Sequence, residues 1–254
     1  YSKDFDNVIM NYPNDNSISN NGLMHEGKTS TILGLKGIPS LAEEIMVDRD
    51  LSLCSYTNSR LHLSYISTKN SVKKIKKAKT KGLKVTADVA LHNLFLIDEE
   101  VNNFDTRYKV MPPLRTKKDN LALIKALKDG TIDVICTDHS PITDEDKKIE
   151  FDNAANGIIG LETAFGLLGK NILPLIDLST LIQKISINPR KILSMKEIII
   201  KEDEDANITL FDPEIEWVFK ANDIKSKSSN TPFIGHKLKG KALAIFNNGQ
   251  FKEC

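Results

Sequence analysis

The feature that most constrains this chain is an alternation of short apolar runs with amphipathic stretches of helical length. "DNVIM" (6–10), "RLHLSYIS" (60–67), "LKVTADVALHNLFL" (83–96) and "DVICTDHS" (133–140) read as strands. Between them, residues 37–57 have helical spacing at Leu41, Ile45 and Leu53. "TKNSVKKIKKAKTKG" (68–82) predicts a basic amphipathic helix with Ser71 as a possible cap and Gly82 as its stop. "TKKDNLALIKALKDGTI" (116–132) predicts another, ending at Gly130. Strands alternating with helices of this length imply parallel βαβ units. Runs apolar on both faces fit a sheet covered by helices. Beyond about Lys201 the texture changes to short strand patterns punctuated by Pro, Asn and Gly, which predicts an appended β-rich unit.

Composition narrows the function classes. The chain has 254 residues, 40% of them hydrophobic, enough for a substantial core. Lysine and arginine together number 35 against 34 acidic residues, a net charge of +1, so neither nucleic acid nor an anionic membrane is the expected partner. Cys54, Cys136 and Cys254 are odd in number, widely spaced and form no CxxC pair, so a reducing, cytoplasmic setting is expected. No apolar run reaches membrane-spanning length, and no signal-peptide pattern opens the sequence. The chain starts at Tyr1, without Met and on a polar stretch, which reads as a piece of a longer protein.

Several side chains are candidates for chemistry, each with a plainer alternative. Asp138-His139 leaves an apolar strand just before Ser140-Pro141, where a carboxylate and an imidazole could serve a metal or a reaction; Asp138 could equally cap the following segment. His62 and His92 sit among leucines, where packing is the favoured reading. His25-Glu26 lies in a Gly-bounded loop and lacks the second His of an HExxH helix. Arg115, after Pro-Pro-Leu, could bind a carboxylate or pair with Asp98, Glu99 or Glu100. Gly157 and Gly160 precede a helix, where backbone N–H groups could meet a carbonyl or an anion, or where helix and strand simply approach closely. The lysines of 68–81 read as a solvated outer face.

In order, "GLMHEG", "STILGLKGIPSLAEEI", "RLHLSYISTKNSV", "GLKVTADVALHNLFLIDEE", "YKVMPPLRTKKDN", "LKDGTIDVICTDHSP" and "FDNAANGIIGLETAFGLL" resemble the dihydroorotase branch of the amidohydrolase superfamily. "ANITLFDPEIEWVF" and "SKSSNTPFIGHKLKGKALAIFNNG" extend the resemblance to the end of the chain. It implies a TIM barrel with one or two zinc ions at the C-terminal ends of its strands, and a metal-activated hydroxide that attacks the ring amide of dihydroorotate. Family ligands are an HxH pair on barrel strand 1, a carboxylate on strand 4, one His each on strands 5 and 6, and an Asp on strand 8 that also handles the proton. Here Asp138 matches the strand-8 Asp as metal ligand and catalytic group, while Tyr12 and Tyr65 stand at the strand-5 and strand-6 imidazole positions. Phenols are poor zinc ligands near neutral pH. Met111 replaces a substrate-contacting Asn, Ile142 a second His, and of the "PFG" before the glycine helix only Gly157, a substrate-binding position, persists.

The resemblance therefore implies an α/β fold: barrel strands 5–8 within residues 1–200, and the C-terminal part of a small β domain at 201–254. The missing half would come from elsewhere in the protein or from a homo-oligomer. Two functions follow as expectations. One is a dihydroorotase-type cyclic amidohydrolase of pyrimidine biosynthesis, interconverting dihydroorotate and carbamoyl aspartate. The other is a catalytically silent homologue, a pseudoenzyme retained as a structural partner, for instance of aspartate transcarbamoylase. A hydantoinase or allantoinase fits less well, because those also need the imidazoles.

Overall fold

The computed structural model describes residues 1–202 and 204–254. Two compact units are present, one built from Tyr1–Gly160 with Ser226–Pro232, the other from Leu161–Lys225 with Phe233–Cys254.

The first unit contains a four-stranded sheet of β1 (Val8–Asn11), β2 (Arg60–Leu63), β3 (Val85–Ala90) and β4 (Val134–Cys136). Spatial order follows chain order, and every pairing is parallel. Each crossover carries a helix: α1 (Leu41–Thr57), α2 (Lys69–Thr80) and α3 (Lys117–Lys128). This is the βαβ succession that the alternating pattern predicts, and consecutive parallel pairing brings all four strand exits to one end. Leu61, Leu63, Val85, Ala87 and Val89 are buried, so the central strands are covered on both faces. β1 is an edge: Ile9 is 45% and Met10 52% exposed.

Strand lengths and caps differ from the sequence expectation in instructive places. The run at 83–96 is a strand only to Ala90; Leu91–Leu94 then winds into a 3₁₀ turn that buries His92 and Asn93. α2 is capped by Thr68, whose hydroxyl accepts from the Ser71 N–H, so the cap lies three residues before the expected Ser71. Gly82 and Gly130 adopt φ of +79° each, the left-handed stop that the sequence predicts. The lysines of α2 do face outward, with Lys74, Lys76 and Lys79 paired to Asp48, Asp129 and Asp133, while Val72, Ile75 and Ala78 are buried. Such exposed pairs contribute little to stability.

α1 reverses the predicted face. Leu41, Ile45 and Leu53 are exposed, whereas Ala42, Val47, Leu51 and Cys54 are buried together with Glu43 and Asp50. Two acids face inward because each has fixed donors. Asp50 accepts from the Asn11 amide at the end of β1 and from Arg49. Glu43, 2% exposed, accepts from the backbone N–H groups of Ser67 (3.1 Å) and Thr68 (3.1 Å) and from both their hydroxyls. It thereby ties α1 to the loop that leads from β2 into α2.

In the second unit, β5 (Ile208–Val218), β6 (Lys237–Asn247) and β7 (Gln250–Glu253) form an antiparallel sheet. Two of these strands reach eleven residues, longer than the punctuated pattern suggests. Register shifts between Leu210 and Phe211 and between Asp212 and Glu216 absorb the irregular residues, Pro213 included. α4 (Ala164–Asn171) lies on β6 and depends on a glycine for its approach: a Cβ at Gly169 would come 1.9 Å from the Lys239 carbonyl oxygen.

The Glu43 network gives the first prediction. In the full-length protein, Glu43→Ala should cost about 3 kcal/mol by stranding buried donors of the 67–68 loop, while Glu43→Gln should cost less than half of that. Urea unfolding checks both values.

Candidate active site

Each of the four parallel strands delivers a polar side chain just past its C-terminal end. Tyr12 follows β1, Tyr65 follows β2, His92 follows β3 and Asp138 follows β4. The rings of Tyr12 and Tyr65 meet edge-to-face, 5.9 Å between centroids and 78° between planes. His92 Nε2 lies 3.8 Å from Asp138 Oδ2. Two of these four residues sit on strained backbone: φ is +58° at Tyr65 and +46° at Asp138. Left-handed backbone is unfavourable for a non-glycine residue, most of all for a bulky one, and it turns both side chains out of strand geometry at the sheet's exit.

Asp88, in the middle of β3, holds this arrangement from below. It is buried, and its Oδ1 accepts the Tyr65 N–H at 2.7 Å, which fixes that left-handed turn. Its Oδ2 accepts from His62 Nε2 at 2.9 Å, and His62 Nδ1 meets the Thr86 hydroxyl at 2.8 Å. The Cys136 thiol lies 3.3 Å from both Asp88 Oδ1 and the Val89 carbonyl and donates to one of them. His62 is therefore buried, as the sequence reading favours, but its imidazole also anchors the acid beneath the site.

The electrostatics follow from burial. Burial, and then the neighbouring Asp88 carboxylate, push the Asp138 carboxyl up to about 7. Burial, followed by Asp138, raises the Tyr65 phenol to about 12. Tyr12 is raised too, by burial first and then by Glu43. Burial lowers His92 to about 4, so its imidazole is neutral. At neutral pH the strand exits thus present neutral phenols and a neutral imidazole around a carboxyl group poised between its two forms.

Loops flanking the exits are fixed by residues that sequence reasoning passed over. Asn230 donates to the Ser140 carbonyl at 2.9 Å and accepts the Ile142 N–H at 3.2 Å, so it clasps the segment just after Asp138-His139. His139 Nδ1 accepts the Gly160 N–H at 3.2 Å. Gly157 lies against the same segment with φ of +148°; a Cβ there would come 2.9–3.0 Å from Ile142 and Ser140. Its own N–H is donated to the Lys109 carbonyl. Arg115 is buried and binds inward: Nε donates to the Ser67 hydroxyl at 3.1 Å, and Nη1 to the Ile38 carbonyl at 2.9 Å and to His25 Nδ1 at 3.1 Å. Arg115 is thus engaged in this knot and not with the side chains of the acids at 98–100. Only local sequence was visible for Asp88 and Asn230, and neither stands in a pattern that signals a partner.

Comparison with known proteins agrees with this geometry. A family model described as dihydro-orotase-like matches residues 1–71. The dihydroorotase of Thermoanaerobacter sp. (strain X514) is 46% identical over 254 residues, covering 99% of this chain and 59% of the relative. Over nearly its whole length the chain is similar to dihydroorotases. The dihydroorotase of Syntrophus aciditrophicus (strain SB) is 44% identical, covering 98% of this chain and 59% of the relative. The chain thus spans about three-fifths of the length of these dihydroorotases. Among solved structures, a D-hydantoinase from a Bacillus sp. AR9 superposes with a TM-score of 0.85 at 22% identity, covering 98% of this chain and 58% of that one. That likeness shows the fold: a TIM-barrel-type α/β architecture, of which the parallel β1–β4 and the β-rich part are present here. Among the described residues no helix is long and apolar enough to cross a membrane.

The raised carboxyl makes a stability prediction with a definite sign. Asp138 holds its proton to about pH 7 when folded but ionises near 3.8 when unfolded, so its contribution to stability is full at low pH and is lost as pH rises from about 4 to 7. In the metal-free full-length protein, Asp138→Asn should therefore gain on the order of 3 kcal/mol at pH 8 and about 1 kcal/mol at pH 5. Asn tolerates the left-handed backbone at this position. Denaturant titrations at the two pH values measure the difference.

Proposed function

We propose that this chain is the second half of a dihydroorotase, opening and closing the ring amide of dihydroorotate in pyrimidine biosynthesis, in the cytoplasm. Residues 1–200 would supply barrel strands 5–8 and residues 201–254 part of the small β domain. The remaining strands would come from elsewhere in the protein. The observation that carries the reading is Asp138: a half-buried carboxyl group at the exit of the last parallel strand, with a pKa raised to about 7. General acid–base catalysis works best when the group titrates near the operating pH.

The proton path follows. As water adds to the ring carbonyl, Asp138 takes its proton, and as the C–N bond breaks, Asp138 returns that proton to the ring nitrogen. Ring closure of carbamoyl aspartate reverses both transfers. Tyr12 and Tyr65, kept neutral, are hydrogen-bond donors beside the reacting ring. Gly157 lets the substrate-side loop close against the segment after Asp138, by close approach and not by its N–H, which Lys109 already holds.

Zinc is the cofactor that similarity to dihydroorotases implies. Asp138 suits zinc, whereas the phenols of Tyr12 and Tyr65, both raised by burial, do not. Among the described residues no group of three or more His, Cys, Asp or Glu side chains could hold a metal ion. The donors of this half do not by themselves fit a zinc centre.

A steady-state assay of dihydroorotate hydrolysis by the full-length protein tests the proposal. Turnover is expected, with kcat for Asp138→Ala lower by about 10³-fold. A parent protein without turnover, the behaviour of a silent scaffold for a partner such as aspartate transcarbamoylase, would overturn it, as would an Asp138→Ala variant at the parent rate.

A further inference from the structure

His92 is a buried imidazole that takes no part in the proton path. It is 1% exposed, and neither ring nitrogen has a hydrogen-bond partner among the described residues. Leaving buried donors or acceptors unsatisfied costs on the order of 1–3 kcal/mol each, so an apolar side chain of similar size would serve this spot better for packing alone. The ring is held by its backbone. Phe95 and Leu96 both donate their N–H to the His92 carbonyl, at 3.1 and 2.9 Å. Asn120 of α3 donates to the Asn93 carbonyl at 3.1 Å, pinning the same turn. Leu91 and Leu94, each 2% exposed, wedge it against the core.

What the imidazole faces is Asp138. The 3.8 Å between Nε2 and Oδ2 is too long for a hydrogen bond, and less than 1 Å of movement makes one. The other acidic group against Asp138 is Asp88, which repels a carboxylate and cannot donate to it when ionised. Tyr12 follows β1, and Tyr65 follows β2, the neighbour of the strand that carries the turn; both phenols lie near enough to feel the Asp138 charge.

We propose that His92 is a positioning residue for Asp138: its Nε2–H takes hold of Oδ2 and so fixes which carboxylate oxygen faces the reacting ring. The inference rests on the dihydroorotase reading for its kinetic consequence, but the contact itself does not. An oxygen left free to rotate away from the ring costs rate and not substrate binding, because the imidazole touches no substrate atom.

Two measurements on the full-length protein decide it. In the first, His92→Leu should fold with an unchanged or higher Tm, lose kcat by about 10²-fold and keep KM within about threefold, the scale expected when a catalytic group is misplaced by an ångström. His92→Gln, which places an amide N–H near the position of Nε2, should recover much of that loss. A His92→Leu variant with the parent kcat would overturn the proposal, as would His92→Gln failing as badly as His92→Leu. The second is the side-chain ¹⁵N–¹H signal of His92 Nε2 in ¹⁵N-histidine-labelled protein. It should be protected from exchange in the parent and lose that protection in Asp138→Ala. A signal indifferent to Asp138→Ala would overturn the proposal even if the parent turned nothing over, which separates its failure from that of the dihydroorotase reading.

Discussion

Everything at the strand exits depends on one buried carboxylate and the groups gathered around it. Asp88 accepts from His62 of β2 and from the backbone of Tyr65 just beyond β2, and the Cys136 thiol of β4 lies 3.3 Å from it. It therefore ties three consecutive strands together at the level where the sheet ends. A buried acid is costly unless its lone pairs are filled, and once filled it is a rigid fixture. The same charge then acts upward on Asp138, whose carboxyl is already raised by burial and rises further beside a second acid. The group that anchors the scaffold is thus also one that tunes the candidate catalytic acid.

A second network supports the neighbouring exit. Glu43 gathers the donors of Ser67 and Thr68, and the Ser67 hydroxyl also receives Arg115, which reaches on to Ile38 and His25. Loops that follow β2 and β3 are in this way fixed to α1 and to the short segment at Ile38. Strained backbone at Tyr65 persists because the Asp88 carboxylate holds its N–H, in the manner common at functional sites. The resulting mouth carries phenols, an imidazole and a carboxyl group.

How much of this could be read from the residues differs by layer. The parallel β1–β4 order was legible, because apolar runs and helical stretches alternate with few ambiguities. Asp138 was legible too, since an acid at the end of an apolar run just before Ser140-Pro141 stands out. The orientation of α1 was not: Leu41, Ile45 and Leu53 carry the helical spacing yet face outward, while Glu43 and Asp50 go inside because their donors lie 24 and 39 residues away in sequence. Asp88 and Asn230 were hidden for the same reason, as long-range partners leave no mark on local pattern. His92 looked like a packing residue by its leucine neighbours. It is buried as that reading has it, but the unsatisfied ring and its direction toward Asp138 appear only in three dimensions.

The central claim is that Asp88 and burial together hold Asp138 as an acid that titrates near neutrality. Carboxyl ¹³C NMR of the metal-free full-length protein, with Asp138 assigned by its loss in Asp138→Asn, measures this directly. A midpoint near 7 is expected for Asp138 in the parent and a lower one in Asp88→Asn, where the repelling charge is gone. A midpoint in the ordinary carboxylate range near 4, or one that ignores Asp88→Asn, would contradict it.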